Sequence, residues 1–67
     1  MDANRYAIFR DDKDGPVWRE FSTDLITAKI NAQRLADAEQ LEFFVFDFED
    51  ISEVARLFPS RNSPTPI

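Results

Sequence analysis

The chain has 67 residues, 43% of them hydrophobic, with 13 acidic against 8 basic side chains and a net charge of −5. It contains neither cysteine nor histidine, which excludes disulfides, thiolate or imidazole zinc sites, and every nucleophilic triad that needs either residue. So short a chain supports one core and buries only roughly 60% of the surface its unfolded state exposes, leaving about 3–5 kcal/mol from the core alone and association as the remaining way to add stability.

Arg5 to Arg10 ("RYAIFR") and Val17 to Ser22 ("VWREFS") are rich in aromatic and β-branched residues, and between them Asp14-Gly15 offers the positive φ of a tight turn. They read as a β-hairpin with a loop of about six residues. The period then changes. Leu25, Ala28, Ala32, Leu35 and Ala36 share one helical stripe, with Ser22 or Thr23 as N-cap, which predicts a helix from about Thr23 to Glu39. Ile26 and Ile30 fall beside that stripe, against the flank of the sheet or a second helix, or as a small exposed patch.

"LEFFVFDFED", Leu41 to Asp50, is a strand by composition, with Leu41, Phe43, Val45 and Asp47 on one side and Glu42, Phe44, Phe46 and Phe48 on the other. Asp47 reads as a solvated gatekeeper at the strand's rim, or as the partner of Arg10 or Arg19 from another subunit. Asp50 and Glu53 then form an aspartate version of a capping box, and Ile51, Val54, Ala55 and Phe58 repeat at helical spacing before Pro59. A short second helix is expected there. The tail "SRNSPTPI" has nothing to bury and reads as disordered, its Ser63-Pro64 and Thr65-Pro66 resembling proline-directed phosphorylation sites.

The expected fold is therefore α+β in the order β-β-α-β-α: one domain over residues 1–59 with a tail over 60–67. It has a three-stranded, mainly antiparallel sheet, in the order 2-1-3 or 1-2-3, a long helix on one face and a short C-terminal helix. The third strand then lies at an edge, where two apolar faces are unusual. Its cover is either the C-terminal helix or a second subunit, bound through the third-strand edge or through an aromatic sheet face. Phe9, Trp18, Phe43, Phe44, Phe46 and Phe48 are the candidate interface.

Catalysis and metal binding find little to work with. "DDKDGPVWRE" superficially resembles a calcium loop, but Arg10 and Phe21 stand where the pattern needs its first and last ligands. With Gly15 the only glycine no phosphate-cradling loop can form, so no enzyme activity, metal or cofactor is expected. No apolar run approaches the ~20 residues of a membrane span, and "MDANRYAIFR" lacks the features of a secretory signal. The expected location is cytoplasmic.

The leading functional expectation is a small, non-enzymatic protein-interaction module that forms a homodimer. A nucleic-acid surface made of Arg5, Tyr6, Arg10 and Arg19 beside the aromatic rings is the alternative, although a net charge of −5 opposes it. The order of hairpin and helix is similar to that of the arm-type DNA-binding domains of tyrosine recombinases, which are basic where this chain is acidic. A third possibility is an acidic binder of a basic protein, in the manner of some inhibitors and antitoxins.

Overall fold

Four strands and one helix make up the computed structural model, which describes residues 4–60: β1 (Tyr6–Asp12), β2 (Gly15–Ser22), α1 (Leu25–Glu39), β3 (Phe43–Asp47) and β4 (Ser52–Leu57). The sheet order is β2-β1-β3-β4 and every pairing is antiparallel. Expected tail residues 61–67, with Ser63 and Thr65, fall outside the described residues.

The hairpin is tighter than expected. Asp12 pairs with Gly15, so the loop is Lys13-Asp14 alone, and Gly15 takes φ +120, where an L side chain is strained. The N-cap of α1 lies one residue beyond Thr23 and two beyond Ser22. Asp24 is the N-cap, its Oδ2 accepting the Thr27 N–H at 3.3 Å, while the Ser22 hydroxyl donates to the Asp24 carbonyl at 3.1 Å. At the far end Gln40 adopts φ 55 and its N–H reaches the Ala36 carbonyl, closing the helix with a left-handed cap.

The helix contributes small residues and the sheet large ones. Ala28, Ala32 and Ala36 are fully buried against Ile8, Phe43 and Val45, with Tyr6 beside them and Leu25, Leu35, Ala55 and Leu57 packed at the margin. Alanines let the helix lie close to β1 and β3, so the sheet's own side chains fill the core at near-solid density.

The expected C-terminal helix is overturned: Ser52–Leu57 is a fourth strand, paired with β3 from Phe43↔Leu57 to Asp47↔Ser52. The physical reason is the edge it closes. An apolar β3 with one unpaired side would leave backbone N–H and C=O groups without partners. The β-branched Ile51 and Val54 lose side-chain freedom in a helix, so sheet pairing outweighs the helical spacing of Ile51, Val54, Ala55 and Phe58. Consequently β3 is an interior strand, and a dimer through its edge is excluded.

Asp47 makes the reversal into β4 possible, and it is neither solvated nor held from another subunit. Its side chain is 3% exposed. Its Oδ1 accepts the Glu49 N–H at 2.9 Å and the Asp50 N–H at 3.4 Å, an Asx-type turn. The Arg5 guanidinium donates to its two oxygens at 2.9 and 2.8 Å. That pairing, with the two backbone donors, holds the Asp47 carboxyl below the ordinary carboxylate value, at about 2. The turn ends with Ile51 at φ 52, a left-handed conformation that costs a β-branched residue free energy.

Candidate functional site

With β4 in the sheet and only one helix, the two sheet faces have different fates. Tyr6 and Ile8 of β1, and Phe43 and Val45 of β3, point to α1. Strand alternation sends Ala7 and Phe9, and Phe44 and Phe46, to the opposite face, over which no described element lies.

That face carries six aromatic rings arranged around one small residue. Ala7 is fully buried although it is not part of the core beneath the helix, and its register partners are Phe21 on one side and Phe46 on the other. Phe9 and Phe44 stack with centroids 5.2 Å apart and planes 13° from parallel. Phe46 meets Phe48 edge-on at 5.5 Å, Phe48 approaches Phe21 at 6.3 Å, and Phe21 lies 5.1 Å from Trp18. Trp18 is the register partner of Phe9, which closes the circuit. Trp18, Phe21 and Phe48 remain 49%, 48% and 44% exposed. On the same face a shallow depression is lined by four of the rings, Phe9, Phe44, Phe46 and Phe48, together with Pro16 and Glu53.

Of the six candidate interface residues, Phe9, Trp18, Phe44, Phe46 and Phe48 belong to this face. Phe43 does not: it is fully buried beneath α1, and its side of β3 is the core. Phe21 is the residue that sequence reasoning missed. Simple alternation separates it from Trp18, but the pairing shifts between Ile8↔Glu20 and Phe9↔Trp18. The bulge absorbs an extra residue in β2 and brings Trp18 and Phe21 onto one face. The excess of aromatic residues over what one helix can cover was the available signal.

A charged rim borders the rings along β4. The Arg56 guanidinium lies 5.1 Å from the Phe44 centroid and donates to Asp11 at 2.6 Å, Glu42 at 3.3 Å and both oxygens of Glu53 at 2.7 and 2.8 Å. Glu53 and Asp11 raise the Arg56 pKa, and Arg56 in turn lowers that of Glu53. Arg56 is thereby paired within the chain, and with one guanidinium among three carboxylates the cluster stays acidic.

The arginines proposed for nucleic-acid contact are elsewhere. Arg10 and Arg19 both pair with Glu39 near the end of α1, their hydrogen bonds depressing its pKa. Arg19 also lies over the Phe43 ring at 5.9 Å, on the helix side. Arg5 is held by Asp47 and by Glu49 at 3.3 Å, and Tyr6 is core. None of the four joins the ring circuit. Of the hairpin carboxylates, Asp11 pairs with Arg56 and Asp12 with Arg10.

Among the described residues no helix is long and apolar enough to cross a membrane. Comparison with protein-family models, with curated proteins and with solved structures finds no match.

Proposed function

We propose that this chain is a small, non-enzymatic protein-interaction module whose working surface is the aromatic face of its sheet, over which no described element lies. One observation carries the reading: six rings encircle Ala7 on the side of the sheet that α1 does not cover. Exposed apolar fields of this kind on small proteins mark contact surfaces, and aromatic residues at the centre of such fields contribute most of the binding energy. The rim supports it too, because Arg56, the arginine beside the rings among the described residues, is already paired with Asp11, Glu42 and Glu53 and does not interrupt the apolar field.

A nucleic-acid platform has less support, since it requires cations among the stacking rings and Arg5, Arg10 and Arg19 are engaged away from them. The acidity that suggests a basic protein partner sits largely outside the rings, so it bears on the rim and not on their centre.

Binding of a neutral hydrophobic dye such as Nile red by the full chain at high dilution tests whether the face is open. We expect bright emission from the wild type, strongly reduced in Phe44→Glu with the far-ultraviolet circular dichroism retained. A folded wild type that leaves the dye dark would remove this reading.

A further inference from the structure

We infer that the occupant of the aromatic face is a second copy of the chain, laid sheet against sheet with the two helices outermost. The inference rests on the reading of that face as a protein contact and names its partner.

Three features of the face fit a copy of itself. The first is shape. Trp18 and Phe21 stand half-exposed on the outer strand β2, beside a depression that they do not line. A two-fold axis makes every contact occur twice, so the projecting rings of each copy can enter the depression of the other. Twisted antiparallel sheets pack in this way, about 10 Å apart and inclined by about 30°.

The second is area. At roughly 150–250 Å² for a whole aromatic side chain, the open fractions of the six rings amount to about 400 Å² per copy. A specific interface needs about 600–800 Å² from each partner, so the rings provide about half to two thirds of it and the rest has to come from Pro16 and the stems of the rim residues. That is the low end of specific association, so the expected dimer is a weak, reversible one.

The third is charge. The rings carry no charge, and Glu53, which lines the depression, is paired with Arg56, so two fields meet without an unpaired like charge at their centre. The net charge of −5 on each copy acts from the periphery. It opposes the approach of a second copy at low ionic strength and is screened as salt rises. A basic partner would show the reverse dependence, binding more weakly in salt.

Sedimentation equilibrium of the full chain across the micromolar range, at low and at high salt, tests the inference. We expect a monomer–dimer equilibrium that tightens with salt. In Phe44→Glu it should weaken by about thirtyfold or more, the loss typical of a central hot spot. Phe21→Glu, at a half-exposed ring on an outer strand, serves the same purpose should Phe44→Glu fail to fold. A wild type that stays monomeric under all conditions while still binding Nile red would overturn the second copy and leave the face to another partner. A monomer that also leaves the dye dark would overturn the face as well. A dimer unchanged by either folded variant would place the contact elsewhere.

Discussion

The two faces of the sheet are built from the same strands and nearly the same residue types, yet one is a core and the other a surface. On the helix side Ile8, Phe43 and Val45 are fully enclosed by a helix that offers alanines. On the far side Phe9, Phe44 and Phe46 are half-buried, covered among the described residues by one another, by neighbouring rings and, at Phe44, by Arg56. What separates core from open surface is therefore the number of covering elements and not hydrophobicity. One helix of 15 residues covers one face.

The largest expected effect breaks this comparison at its centre. Phe43→Ala should cost about 3–5 kcal/mol, comparable to the whole stability expected of so small a domain, and urea denaturation should find the variant largely unfolded. Phe44→Ala, one residue along on the open face, should cost about half as much in the dilute monomer. Equal losses at the two positions would mean that the faces are equally covered.

Asp47 joins the faces, since it is buried at the end of β3 and organises the turn that delivers Phe48 to the rings. Asp47→Asn should lower the thermal midpoint and loosen β4 before β1 and β2, read by hydrogen exchange. The same linkage has a pH signature. A carboxyl held at about 2 in the fold, against an ordinary 3.8, contributes stability that is complete above pH 4 and is lost as pH falls from about 4 to about 2. Wild-type stability should decline through that window, and Asp47→Asn should decline less.

A smaller effect has the opposite sign. Ile51 is 73% exposed at φ 52, so Ile51→Gly relieves backbone strain while giving up little burial, and should stabilise the fold by about 1 kcal/mol in urea titration. The smallest effect concerns Ile26 and Ile30, both exposed on α1. Replacing both by serine should change stability by about 0.5 kcal/mol or less and leave the dimer constant unaltered, since they lie on neither sheet face.

Much of this was legible in local pattern. The hairpin announces itself at Asp14-Gly15, the alanine stripe defines α1 as far as Glu39, and alternation through "FFVFD" assigns Phe43 and Val45 to one side and Phe44 and Phe46 to the other. What local pattern concealed was decided by pairing. Ile51, Val54, Ala55 and Phe58 satisfy a helical period over too short a run to separate helix from strand, and the unpaired edge of β3 made the choice. Strict alternation puts Phe21 on the opposite side from Trp18, because a bulge is invisible to it. Asp47 was read as solvated because its partner, Arg5, lies 42 positions away in the sequence. The surplus of aromatic surface over available cover could be counted from the sequence, and it outlasted the loss of the second helix.

Trp18 is the only tryptophan in the chain and stands half-exposed in the ring circuit, so its fluorescence reports directly on whether the face is open and what closes it. In dilute solution the emission should be red-shifted and readily quenched by acrylamide. As concentration rises through the micromolar range it should move to the blue and become protected, with no change in secondary structure. A blue, quencher-resistant emission that is the same at every concentration would show that a single copy covers its own rings, and would contradict the account.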